Sequence, residues 1–358
     1  MKRIFIIGYS KNKGGVESYI VNLNKKLNHD KYEVIYTMPI MNIDGKTWVR
    51  PKNRHNYIKY RSFWKKFYQE NHIDILYYNT CDIVSISQLK FAKGAGVPVR
   101  IIHAHNTGNQ QGIQKRMSFF HRLSERRSRR TLHKYATHFF ACSKSAGDWM
   151  FDGRKYQIIH NGINLVKYQY SEHKRKRCRE ILSLKDEILI GCIGRLSPQK
   201  NPLYTVDIVE AIAKKIQNVK VVMIGEGEMR EDLEQMVKKK GLRDKVIFTG
   251  AVDNVHEWLS AIDCLLMPSL FEGLPFVLVE AQAAGLHCVV SSAVSEEANI
   301  TGLVEYISLE ENVEHWAEKV LEACKRPRKD VTRNLIAAGY SIEDTASEVS
   351  EIIESALK

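Results

Sequence analysis

Short apolar runs alternate along the chain with longer stretches whose apolar positions recur at helical spacing. RIFIIG opens the series at residues 3–8, a helical pattern follows around Glu17–Leu27, and then come YEVIYTM, DILYYN, VPVRIIHAH and THFFACS. A second series, ILIGCIG, KVVMIGE, KVIFTG, DCLLMPS, HCVVSS and LVEYIS, begins at residue 188 and is also interleaved with helical patterns. This alternation predicts parallel sheets built from βαβ units, an α/β architecture. Between the two series lies NGINLVKYQYSEHKRKRCREILSL, whose polar and basic start reads as a linker near residues 163–175. The last stretch, SIEDTASEVSEIIESALK, predicts a helix capped by Ser341 with Asp344 three positions on. The expected domains are 1–165 and 166–342, with 343–358 as a helix packing back on the first.

Composition bounds this picture without changing it. With 358 residues, two domains of ordinary size are the default, and 44% apolar with 27% charged residues is the balance of a folded chain. No apolar run approaches the roughly 20 residues needed to span a bilayer. MKRIFIIGYS has a short apolar core and no small-residue cleavage site, so it reads as a first strand rather than a signal peptide. The seven cysteines lie far apart without metal or disulfide spacing, as expected of a cytoplasmic protein.

Charge does change it. The net charge is +13, yet residues 1–170 carry +20 and the remainder −7. Such a split predicts an anionic partner for the first domain. Much of the excess lies in KRMSFFHRLSERRSRRTLHK, residues 115–134, where eight basic residues and one acid are interleaved with Met117, Phe119, Phe120, Leu123 and Leu132. Two readings stand side by side: a basic amphipathic helix on an anionic lipid surface, through Lys115, Arg116, Arg126, Arg127, Arg129 and Arg130, or an ordinary helix whose apolar stripe holds it to its own domain.

The candidate chemistry gathers at predicted strand ends. In SLFEGLPFVLVEAQAAG, residues 269–285, Pro275 suits the first position of a helix and Gly285 its C-terminal cap. The N–H groups of Gly273, Leu274 and Phe276, around Pro275, would form an anion seat, flanked by Glu272 and Glu280. Arg195 and Lys200 in GRLSPQKN could clamp a diphosphate. Gly14 and Gly15 in GYSKNKGGVES precede a helix and allow close backbone approach, although the G-x-G-x-x-G fingerprint is absent there and in GEGEM. His103 and His105 share one face of an extended segment.

Taken in order, strand–GRLSPQKNP, IGEGE, VIFTGAV and the Glu-x7-Glu element of SLFEGLPFVLVEAQAAG, with GGVE near the start and HNGIN before the linker, resemble glycosyltransferase family 4. The resemblance covers essentially the whole chain and is nearest to the bacterial branch that assembles capsular and exopolysaccharide repeat units. It implies a GT-B fold, two doubly wound Rossmann-like domains facing across a cleft, and retaining chemistry. A hexose or N-acetylhexosamine would pass from a UDP-sugar to a saccharide acceptor, expected to be polyprenyl-diphosphate-linked. Arg195 and Lys200 would bind the diphosphate, Glu272 the transferred sugar, the Gly273–Phe276 backbone both, and Glu280 the ribose. Val252 would lie against the base, Gly15 would approach the diphosphate, and a strand-end histidine, His105 in preference to His103, would position the sugar.

No two aspartates are separated by one residue, so the metal-binding pair of the other large glycosyltransferase fold is missing and neither metal nor cofactor is expected. The implied location is cytoplasmic, peripheral on the inner face of the cell membrane. Competing readings are a nucleotide-sugar epimerase on the same fold, a glycoside hydrolase using Glu272 and Glu280, and a nucleic-acid-binding protein. The last lacks a recognised motif or stacking platform, and no nucleic acid is expected as partner.

Overall fold

The computed structural model describes residues 1–8, 14–37, 46–47, 56–106 and 119–358, which divide into two compact units. The first comprises Met1–Ile163 and Gly339–Lys358, the second Asn164–Ala338.

In the first unit seven parallel strands, β1 (Lys2–Ile7), β2 (Tyr32–Tyr36), β3 (Lys46–Thr47), β4 (Ile75–Thr80), β5 (Val99–Ala104), β6 (His138–Ala141) and β7 (Gln157–Ile158), form a sheet in the order 3-2-1-4-5-6-7. Its helices are α1 (Gly15–Lys26), α2 (Tyr57–Glu70), α3 (Ser87–Gly94), α4 (Phe119–Thr131) and α5 (Lys144–Phe151). In the second unit α6 (Leu165–Tyr168) and α7 (Glu172–Ile181) lead into six parallel strands, β8 (Ile188–Ile193), β9 (Val219–Ile224), β10 (Val246–Gly250), β11 (Cys264–Met267), β12 (Cys288–Ser291) and β13 (Val304–Ile307), ordered 10-9-8-11-12-13. The helices between and after them are α8 (Pro202–Lys215), α9 (Arg230–Lys239), α10 (Val255–Ala261), α11 (Phe276–Ala283), α12 (Val313–Lys325) and α13 (Thr332–Ala337). The last helix, α14 (Ile342–Ala356), packs on α1 of the first unit.

The central strands are mostly apolar because helices cover both faces of each sheet; Leu265 and Val289, for example, are fully buried. Both sheets are doubly wound. Strand order reverses between β1 and β4 in one and between β8 and β11 in the other, so the loops leaving those strands diverge and open a crevice at their carboxyl ends.

The division differs from the sequence reading at both ends of the second unit, which begins at Asn164 rather than residue 166. The second unit ends at Ala338, not residue 342, because Gly339–Ser341 is tied to the first: Ile163 N–H donates to Tyr340 O at 2.9 Å, and Tyr340 stacks on His160 with ring centroids 4.5 Å apart. The segment read as a linker at 163–175 is instead two capped helices. Asn164 accepts from the Lys167 N–H and Ser171 from the Lys174 N–H, and their polar residues are those of exposed helical faces.

Among the described residues no helix is long and apolar enough to cross a membrane.

Candidate functional site

In the second unit the loops leaving five strands are laced together at the point where strand order reverses. Gly194 N–H donates to Ile224 O at 2.9 Å, Leu196 N–H to Glu226 O at 3.0 Å and Gly225 N–H to Gly250 O at 2.9 Å. This lacing requires glycine in GEGEM, a role that the failed dinucleotide fingerprint concealed. A Cβ on Gly225 would stand 2.0 Å from Gly194 O and one on Gly227 2.2 Å from Leu196 O. On the other side, Leu270 N–H donates to Gln199 O at 2.8 Å, and Gln199 Nε2 to Phe271 O at 3.2 Å. Glu272 N–H reaches Ala293 O at 3.3 Å and Ser295 N–H reaches Glu272 O at 3.1 Å. The SLFEGLP loop is thus held between the loops after β8 and β12.

This frame brings Lys200 and Glu272 together. Lys200 ends the short helical turn Pro198–Lys200, and its Nζ lies 2.6 Å from Glu272 Oε1 as an ion pair outside hydrogen-bond alignment. Both side chains are mostly buried, 22% and 11% exposed, where solvent screens a pair little. Arg195, five residues earlier, is exposed and lies 3.3 Å from Glu228. Lys200 therefore faces an acid, and Arg195 remains accessible.

Helix α11 begins at Phe276, with Pro275 as its N-cap in extended conformation rather than as its first helical residue. No side chain caps this end, and among the described residues the Gly273, Leu274 and Phe276 N–H groups find no backbone partner. Three N–H groups without a backbone partner among the described residues thus lie beside the positive end of the helix in one loop, an arrangement suited to an anion. The far end closes with left-handed Gly285 (φ +66°), where Leu286 N–H bonds Ala281 O at 3.0 Å and Gly285 N–H bonds Gln282 O at 2.8 Å, the two bonds of a Schellman cap. Half-buried Arg328 completes it, donating to Ala284 O at 2.7 Å and to Leu259 O, Ser260 O and Ile262 O at the end of α10. Nothing in the sequence pattern singles out Arg328.

Glu280 sits within α11, only 8% exposed, and burial raises its carboxyl above the ordinary range while the Tyr168 hydroxyl and Lys167 pull the other way. Val252, in the loop after β10, packs half-buried against the apolar cluster behind α11 together with Leu274 and Tyr168.

In the first unit the two histidines at the end of β5 have different partners. His103 is fully buried; its Nε2 donates to Ile159 O at 3.1 Å. Its Nδ1 therefore accepts from the Tyr77 hydroxyl at 3.0 Å, which in turn accepts from Tyr19 of α1 at 2.8 Å. His105 Nε2 lies 2.9 Å from Asn79 Oδ1, and Asn79 Nδ2 donates to Ile7 O at 3.1 Å, so Nε2 carries the proton. The lone pair is left on Nδ1, buried beside Asn161 without completing a hydrogen bond. Burial lowers the His105 pKa to about 3 and that of His103 well below the usual value, so both rings are neutral near pH 7. Gly8 (φ +121°) permits this arrangement, since a Cβ there would stand 2.6 Å from Asn79 Cβ. Gly14 is the exposed N-cap of α1 and Gly15 its first residue.

Helix α4 corrects one assignment and sharpens another. Arg129 does not face solvent: it pairs with Glu125 at 2.7 Å, donates to Trp149 O and lies over the Trp149 ring at 4.7 Å. The helix is held by this contact and by Ser124, which donates to Val84 O at 2.7 Å, while the apolar side chains of Phe120 and Leu123 reach solvent. Those two are 78% and 54% exposed, on the same side as exposed Arg126, Arg127 and Arg130. Lys115 and Arg116 lie outside the described residues. Among the described residues, no group of three or more His, Cys, Asp or Glu side chains converges as a metal cluster.

Residues 13–167 match the family model described as Glycosyltransferase Family 4, and residues 174–342 match the one described as Glycosyl transferases group 1. The putative glycosyltransferase EpsF of Bacillus subtilis (strain 168) is 27% identical over 98% of this chain and 96% of its own. An Escherichia coli UDP-Gal:alpha-D-GlcNAc-diphosphoundecaprenol alpha-1,3-galactosyltransferase is 34% identical over 39% of this chain and 38% of its own. Among solved structures, Anabaena Alr3699/HepE in complex with UDP superposes with a TM-score of 0.77 at 17% identity, covering 99% of this chain and all of the other.

Proposed function

The chain belongs to the glycosyltransferases of GT-B fold, and from that premise we propose that it is a retaining enzyme moving a hexose or N-acetylhexosamine from a UDP-sugar to a polyprenyl-diphosphate-linked saccharide in capsular or exopolysaccharide biosynthesis. The observation that carries this reading is the convergence of Lys200, Glu272 and the uncapped start of α11 at the crevice of the second unit. Arg195 and Lys200 take the diphosphate together with the N–H groups of the Gly273–Phe276 turn. Each charge-assisted bond contributes about 1.5–3 kcal/mol, and those that strengthen as the nucleotide departs lower the barrier. In this reading the cations replace a metal, and no cofactor takes part. Glu272 accepts hydroxyls of the transferred sugar, Glu280 those of the ribose, and Val252 lines the base. Gly14 and Gly15 present backbone to the donor. His105, held neutral, positions the sugar.

The E. coli relative, named for a diphosphoundecaprenol-linked acceptor, and a Campylobacter jejuni N-acetylgalactosaminyltransferase likewise named for a diphospho-undecaprenol substrate, 27% identical over 43% of this chain, support a lipid-linked acceptor, and UDP in the Anabaena complex supports the nucleotide. The exposed Phe120, Leu123 and arginine side of α4 supports peripheral binding to an anionic inner membrane face. The test is transfer from radiolabelled UDP-sugars to a bacterial lipid extract. Label should enter the organic phase in an acceptor-dependent way and be lost in an Arg195→Ala, Glu280→Ala double variant. Acceptor-independent isomerisation of the donor would identify an epimerase, and release of sugar from neutral glycosides a hydrolase; either overturns the proposal.

A further inference from the structure

Gln282 lies on the buried side of α11, two residues beyond Glu280, and is fully enclosed. Its amide is engaged at every polar position. Nε2 donates to Leu278 O at 3.0 Å within the helix and to Ala298 O at 2.8 Å. Oε1 accepts from the Ile300 N–H and the Thr301 N–H, both at 3.1 Å, and from the Thr301 hydroxyl at 2.8 Å. All of these bonds except the first leave the helix for the segment that follows β12. Tyr306 of β13 holds the near end of the same segment, its hydroxyl donating to Ser295 O at 3.0 Å. That segment in turn carries Glu272. Glu272 N–H donates to Ala293 O, Glu272 O accepts from the Ser295 N–H, and Glu272 pairs with Val294 as a parallel bridge. We propose that Gln282 and Tyr306 are positioning residues for Glu272, fixing residues 293–301 so that its carboxylate meets the hydroxyls of the transferred sugar. The inference rests on the reading of Glu272 as the residue that takes those hydroxyls.

A buried amide costs stability unless it is bonded, so a glutamine among Leu278, Ala281 and Ala298 is explained by what it bonds. What it bonds is loop backbone. The Ile300 and Thr301 N–H groups find no backbone partner among the described residues, and one glutamine oxygen takes both. A network satisfied in this way is rigid. Glu272 needs such support, because the residues after it supply none: the Gly273 and Leu274 N–H groups find no backbone partner among the described residues. Its carboxylate is also drawn to Lys200, 2.6 Å away. With the backbone of Glu272 fixed from behind, a diphosphate can take Lys200 while the carboxylate stays at the sugar. Displacing a reacting group's partner by about 1 Å can cost about a hundredfold in rate. The nucleotide depends less on this segment, since Arg195 and Lys200 stand on the loop after β8 and Glu280 on α11 itself.

The experiment compares wild type, Tyr306→Phe and Gln282→Met, each alone and in a Glu272→Ala background. Initial transfer rates are measured from radiolabelled UDP-glucose, UDP-galactose, UDP-N-acetylglucosamine and UDP-N-acetylgalactosamine to a bacterial lipid extract, with calorimetric titration of UDP alongside. Tyr306→Phe removes one donor and keeps the ring, while Gln282→Met keeps the length of the side chain and removes its amide. At saturating donor, kcat should fall about fivefold in Tyr306→Phe and about thirtyfold or more in Gln282→Met. UDP affinity should stay within about twofold of wild type in both. In the Glu272→Ala background neither substitution should lower the residual rate by more than about twofold, because the residue they position no longer reaches the sugar. Losses that multiply with Glu272→Ala, a fall in UDP affinity that matches the fall in rate, or an unchanged kcat overturns the positioning role. Thermal midpoints report folding, and if Gln282→Met unfolds, Tyr306→Phe alone decides the question. A wild type that transfers from none of the four donors overturns the functional reading itself, before any variant is compared.

Discussion

Lys200 Nζ lies 2.6 Å from Glu272 Oε1, so the cation assigned to the donor's diphosphate and the acid assigned to its sugar neutralise one another. A diphosphate must draw Lys200 from this partner, and the same movement frees Glu272 for sugar hydroxyls. Removing the carboxylate charge while keeping its shape should therefore favour the nucleotide and disfavour the reaction. Glu272→Gln is expected to bind UDP about two- to fivefold more tightly, the worth of a modest ion pair, and to lose at least about a hundredfold in sugar transfer. Calorimetry and the transfer assay check the two halves. Weaker UDP binding in the variant would mean that the pair persists in the complex.

Glu280 yields a stability prediction of fixed sign. Its carboxyl is raised in the folded protein, so the folded state favours its protonated form. The associated stability is present below the ordinary carboxyl value of 4.5 and is lost as pH rises through the raised value. Near pH 7 the buried anion costs stability, and Glu280→Gln should raise the thermal midpoint by about 2–4 °C. That gain should shrink on acidification toward pH 4.5, while UDP binding is weakened. Melting curves across this range provide the check; a lower midpoint in Glu280→Gln at pH 7 would contradict the burial cost.

Arg328 closes the carboxyl ends of α10 and α11 with bonds to four carbonyls. Arg328→Ala leaves those acceptors buried and should cost about 2–3 kcal/mol in chemical denaturation. Arg328→Lys should recover little, because one ammonium cannot span what the planar fork spans.

The exposed side of α4 should govern lipid binding. Arg126→Gln, Arg127→Gln and Arg130→Gln together should weaken binding to phosphatidylglycerol vesicles by about a hundredfold at low salt, at roughly 1 kcal/mol per charge. Phe120→Ser with Leu123→Ser should weaken it as well. Co-sedimentation measures both, and Arg129 substitutions should instead lower stability, since that side chain packs on Trp149.

The sheets and the ends of α11 are legible in the chain because their causes are local. Buried parallel strands read as unbroken apolar runs, and Pro275 and Gly285 bracket the helix with fixed backbone preferences. Contacts between distant residues are what the pattern hides. Charge periodicity cannot distinguish Arg129, which turns inward onto Trp149, from exposed Arg126, Arg127 and Arg130. Tyr168 lies in a polar stretch that reads as linker, and only the folding of α6 onto α11 brings it to the apolar cluster behind that helix. The same is true of Asn79, whose amide fixes the His105 tautomer from a neighbouring strand.

A crystal structure with UDP bound tests the central claim most directly. The account predicts β-phosphate oxygens accepting from the N–H groups at the start of α11, Arg195 and Lys200 within ionic reach, Lys200 parted from Glu272, and the ribose diol on Glu280. A nucleotide seated away from these four side chains would contradict it.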